Sequence, residues 1–117
     1  MKKLFAIILA LALLLPGVAL AECKTASVTS DEVAGTYSAA LNVVPGQVDV
    51  SISGTWTGTV TVERKLASDA AWLTVDTFTS NFQGYYTGAT GQQLRIGAAN
   101  GDWGSGTMTL KICQDRP

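Results

Sequence analysis

A chain of 117 residues with eight lysines and arginines, nine acidic residues and no histidine lacks the imidazole on which the usual catalytic triads and zinc sites depend. Its few cations are scattered, so it also lacks the basic stripe that a nucleic-acid surface requires. A hydrophobic content of 47% in so short a chain fits one domain with one modest core.

In chain order, Lys2 and Lys3 lead into an apolar run over residues 4–15, which Pro16 and Gly17 break just before Ala19, Leu20 and Ala21. This succession of basic, apolar and small-residue regions predicts a secretory signal peptide over residues 1–21, cleaved after Ala21. The apolar run is shorter than the roughly 20 residues that span a bilayer, so no stable membrane anchor is expected after cleavage. Lipidation of Cys23 is disfavoured because Glu22, not a small residue, precedes it. Residues 22–117 are then a single secreted or periplasmic domain of net acidic charge.

Two cysteines remain, Cys23 and Cys113, near the two ends of that domain. An oxidising compartment predicts a disulfide between them, closing a loop of about 90 residues and contributing about 4 to 5 kcal/mol by chain entropy. The spacing excludes a redox-active C-x-x-C pair.

Period-two alternation recurs in short runs separated by Gly, Asn, Asp and Ser, which predicts an all-β fold. Tyr37, Ala39, Leu41 and Val43 alternate before the Pro45-Gly46 turn, and Val48, Val50 and Ile52 continue until Gly54. Val60 and Val62 mark a one-sided strand, 66–71 a connection in which Asp69 caps the turn, and 72–78 the next strand, with Trp72 and Trp56 entering the core. A turn at 79–81 precedes an aromatic segment over 82–87, and Leu94 and Ile96 mark a strand ending at Gly97. The glycine-rich stretch 97–106 reads as a loop. The last strand, 107–113, buries Met108, Leu110 and Ile112 and turns Cys113 outward. About seven short strands at this spacing predict a small antiparallel β-sandwich, with a small closed β-barrel as the alternative.

No catalytic residue, metal site or cofactor motif emerges. Asp49, Glu63, Asp69, Asp76 and Asp102 are available as carboxylates, but strand and turn positions make them solvated residues rather than a positioned pair. Aromatics carry the binding potential. Tyr85 and Tyr86 are adjacent, so one must face away from the core, and Asp102 and Trp103 lie in the glycine-rich loop, with Trp103 folded back as a lid on the core as the alternative. These four form the candidate binding surface.

The segments W-T-G-T-V-T-V-E-R-K (56–65), D-A-A-W-L-T-V (69–75), L-R-I-G (94–97) and G-D-W-G-S-G-T-M-T-L (101–110) are similar to a family of small tailed-phage proteins. That family carries W-x-G-T-V-T-L-Q-R-S, D-G-G-A-T-W, a Y-R-L/I-G strand and G-D-Y-T-S-G-T-V. The resemblance covers residues 52–112 and implies a virion-associated β-sandwich with a decorating or attaching role and no catalytic residues. The leader and the cysteine pair depart from it, since virions assemble in the cytoplasm. The expectation is an exported, non-enzymatic structural or interaction protein that meets a protein partner or its own copies through sheet faces or edges. A secreted carbohydrate-binding module is the alternative.

Overall fold

The computed structural model describes residues 20–66, 68 and 71–116. The signal peptide expected over residues 1–21 thus lies outside the described residues except for Leu20 and Ala21, as does the turn-capping role expected of Asp69. Eleven strands follow in order among the described residues: β1 (Leu20–Val28), β2 (Thr36–Tyr37), β3 (Leu41–Asn42), β4 (Gly46–Ser53), β5 (Trp56–Gly58), β6 (Val60–Leu66), β7 (Leu73–Phe78), β8 (Phe82–Gly88), β9 (Gln92–Ala98), β10 (Trp103–Gly106) and β11 (Met108–Arg116). Sheet A has the order β1-β11-β4-β8. Sheet B has the order β2-β9-β6-β7, with β3 also pairing β9, and β5 and β10 form a separate ribbon. Every pairing is antiparallel. The sheets do not close on each other, so the fold is the small β-sandwich and not the barrel.

Alternation creates the core. Val48, Val50, Ile52, Met108, Leu110 and Ile112 point inward from sheet A, and Leu41, Val60, Val62, Leu94 and Ile96 from sheet B, each no more than 5% exposed. Removing each such side chain from water contributes about 1.5–3 kcal/mol, and the pleat keeps the intervening polar residues wet. At the end of β11 the same inward series reaches Gln114, which is buried and forms a two-way bridge with the chain before β4. Its Oε1 accepts from Val44 N at 2.9 Å and its Nε2 donates to Val44 O at 2.6 Å.

Four local expectations change. The run 37–43 is not one strand, because the Ser38 hydroxyl accepts from Ile96 N at 3.1 Å where a strand carbonyl would otherwise serve. The ladder breaks there, and Tyr37 and Leu41 end on opposite faces. The stretch 97–106 is not all loop, since β10 pairs with β5. Gly58 at the start of that ribbon has φ of 133°, and a Cβ there would collide with the Asp102 carbonyl oxygen. An unforeseen first strand, β1, runs along β11 from Leu20↔Arg116 to Val28↔Met108. Trp72 lies on the outer face of sheet B, whereas Trp56 does pack against the core, with Nε1 donating to Asn81 Oδ1 at 2.7 Å.

The sandwich has two flanks. On one, β1 contacts β2 and β3. On the other, the edge strands β7 and β8 are joined across the sheets by Phe78 against Phe82 at 4.5 Å and by Tyr86 Oη donating to Asp76 Oδ2 at 3.3 Å. A bulge opposite Val62 and Glu63 leaves Val75 without a register partner, which bends β7.

Candidate binding surface

The four candidate residues do not form one surface. Trp103 folds back, with its ring against the core and Nε1 donating to Gly106 O at 3.0 Å. Asp102 works through its backbone, its N–H donating to Ala99 O at 3.0 Å and its carbonyl accepting from Thr59 N at 2.8 Å. Tyr86 faces inward beside Val48, and burial first, then the Asp76 carboxylate, pushes its phenol up to about 12. Tyr85 alone faces outward, 64% exposed on the outer face of sheet A.

That face is a grid set by register. One row reads Thr25, Lys111, Ser51 and Gln83 from β1 to β8, and the next reads Cys23, Cys113, Asp49 and Tyr85. Cys23 and Cys113 are direct cross-strand neighbours and are joined by a disulfide with Cα atoms 4.1 Å apart. The bond therefore fastens β1 to the centre of sheet A from outside, as the alternation of β11 requires. Beside it, Gln83 Nε2 donates to Ser51 Oγ and Gln47 Nε2 to Asp49 Oδ1, both at 2.7 Å. These bonds fix the polar atoms next to the tyrosine ring.

The relief of the face is a shallow groove. A part of about 470 Å³ is lined by Asp49, Ser51, Gln83, Tyr85, Lys111 and Cys113. A second part of about 310 Å³ shares Ser51 and Lys111 and continues over Thr25, Ser27, Ser53 and Thr109 to β1. The groove thus crosses the sheet diagonally, from one exposed ring to a floor of hydroxyls, with one carboxylate and one ammonium along it.

The outer face of sheet B carries a cluster that alternation did not single out. The Arg95 guanidinium lies over the Tyr37 ring, 3.9 Å from its centroid, and over the Trp72 ring, at 4.5 Å. Its Nε and Nη2 donate to Glu63 Oε1 at 2.8 and 2.7 Å, and Lys65 sits 5.2 Å from the Trp72 centroid. Burial, then the nearby Glu63 carboxylate, raises the Tyr37 phenol. Gly97 makes the stack possible, because a Cβ there would lie 2.6 Å from Tyr37 Cδ1. Arg95 meets Glu63 through Nε and Nη2 and contacts two aromatic rings of its own sheet, so the cluster braces sheet B. The signal for it was the outward series Glu63, Lys65 and Arg95 on neighbouring strands.

Among the described residues no group of three or more His, Cys, Asp or Glu could hold a metal ion, and no helix is long and apolar enough to cross a membrane. No family model, curated protein or solved structure matches the chain.

Proposed function

We propose that the chain is an exported, non-enzymatic interaction module whose working surface is the outer face of sheet A. The observation that carries this reading is Tyr85. It is the most exposed large hydrophobic side chain on any described strand, and it stands at the head of the groove while Tyr86, Trp56 and Trp103 are held by internal partners. A flat sheet face stiffened by a cross-strand disulfide loses little entropy when it docks, which favours binding by a small domain. The leader motif supports export, and the resemblance of residues 52–112 to virion attachment proteins supports an attaching role.

A pair of substitutions in the full-length chain tests the reading. Ser51→Arg fills the middle of the groove, and Thr74→Arg places the same side chain on the exposed outer face of sheet B. Once equal melting midpoints show that both fold, the fraction of exported protein retained on the cell envelope should fall for Ser51→Arg alone. Equal retention of both variants and the parent would overturn the choice of face.

A second reading, lateral assembly along β7, rests on the exposure of Leu73 at 55% and Val75 at 37% on that edge strand. Light scattering over a concentration series tests it. Growth in mass that Val75→Lys abolishes would support it, and a monomer at all concentrations would remove it.

A further inference from the structure

Resting on the proposal that the outer face of sheet A docks, we infer that its ligand is a neutral saccharide, which stacks one pyranose face on Tyr85 and lies along the groove toward Thr25 and Ser27. Three features select this chemistry. First, a tyrosine ring 64% exposed on a sheet offers a flat, polarisable platform to the C–H face of a sugar, with little rotor entropy to lose. Second, the groups that line the groove with the ring are those that bond vicinal hydroxyls. Asp49 accepts, Lys111 donates, and Ser51, already accepting from Gln83 Nε2, keeps its own proton to donate. Third, Asp49 and Lys111 offset each other, and the continuation over Thr25, Ser27, Ser53 and Thr109 carries hydroxyls and no charge. An anionic or cationic ligand would find no excess of opposite charge in the lining, whereas a polyol finds both donors and acceptors along it.

The platform holds one ring, because Tyr86 and Trp103 face inward. The site therefore suits a single sugar unit of a short chain, with the rest bonded along the hydroxyl floor, and not the flat face of a crystalline polysaccharide. The disulfide keeps Cys113, and with it the strand between Asp49 and Thr25, in the plane of the sheet. An intact disulfide is accordingly part of the site.

The test is a titration of the oxidised protein, as recovered from cells producing the full-length chain, with neutral cello-, malto- and chito-oligosaccharides and with one uronic-acid oligomer, read by backbone amide shifts. A neutral member should give saturable shifts centred on residues 49–51, 83–85 and 111. Affinity should fall about tenfold or more in Tyr85→Ala and stay within about threefold in Tyr85→Phe, which keeps the ring. Trp103→Phe should bind like the parent. No saturable shift with any oligosaccharide, or preference for the uronic acid, overturns the neutral-saccharide assignment. A photoreactive phenylalanine at position 85 separates the two failures. If it crosslinks a protein in cells while every glycan fails, the docking face stands and the saccharide falls; if it crosslinks nothing and every glycan fails, both fall.

Discussion

Gln114 offers a sharp test of the packing described above, because one buried amide serves both backbone groups of Val44 across 70 residues of sequence. Gln114→Leu keeps roughly the same volume and removes both bonds. The leucine itself suits the site, which is 1% exposed, so the cost comes from Val44, whose N–H and C=O lose their partners. A buried unsatisfied group costs about 1–3 kcal/mol, and Val44 is only half-buried, which places the sum near the lower half of the range for two groups, about 2–3 kcal/mol. For a domain of about 100 residues this lowers the melting midpoint by about 8 to 20 °C. Urea unfolding followed by tryptophan fluorescence should show a lower midpoint with an unchanged slope, and the Val44 amide should lose its protection against hydrogen exchange. A loss below about 0.5 kcal/mol with the Val44 amide still protected would refute the reasoning, since the bridge would then be replaceable by water.

Other outcomes are expected from the same structure. The Cys23→Ser/Cys113→Ser variant should unfold with about 4 to 5 kcal/mol less stability, measured by chemical denaturation against the oxidised parent; a loss below about 1 kcal/mol would contradict the loop-closure estimate. Because burial and the Asp76 carboxylate push the Tyr86 phenol from its ordinary range near 10 up to about 12, its neutral form contributes stability in full below about pH 10, and that contribution drains away as pH rises toward 12. Tyr86→Phe should lessen this alkaline decline, read from denaturation midpoints across the window; an identical slope in both proteins would count against the inward phenol. Arg95→Ala should destabilise the fold by about 1–3 kcal/mol through loss of the ring stack and the Glu63 bonds, and Arg95→Lys should recover only part of it, because an ammonium cannot reproduce the planar fork. Tyr85→Ala, on an exposed platform, should change stability by less than about 0.5 kcal/mol.

Much of the sandwich was legible because its core strands alternate cleanly. Val48, Val50 and Ile52, and Met108, Leu110 and Ile112, declare their inner faces in sequence, and the same parity turns Cys113 outward. β1 was not legible, since its inward series Lys24, Ala26 and Val28 holds one large apolar residue and its place beside β11 is set by cross-strand pairing and the disulfide. Ser38 broke an apparently continuous strand by substituting a hydroxyl for a carbonyl, an event that hydropathy does not record. At the candidate surface, adjacency alone established that one of Tyr85 and Tyr86 points out, but not which. The register of β8 against β4 decides it, placing Tyr86 opposite buried Val48 and Tyr85 opposite exposed Asp49. Trp72 resembles a core residue in the strand pattern, but its ring lies on the outer face of sheet B, where it meets the cations of Arg95 and Lys65 on neighbouring strands.

Site-specific photocrosslinking in cells producing the full-length chain tests the working surface most directly. A photoreactive phenylalanine replaces Tyr85 in one variant and Thr74, on the outer face of sheet B, in another, and light-dependent adducts are read from the exported fraction. The expected result is adducts from position 85 and none from position 74. Adducts from position 74 with none from position 85 would contradict the assignment and move the interaction surface to sheet B.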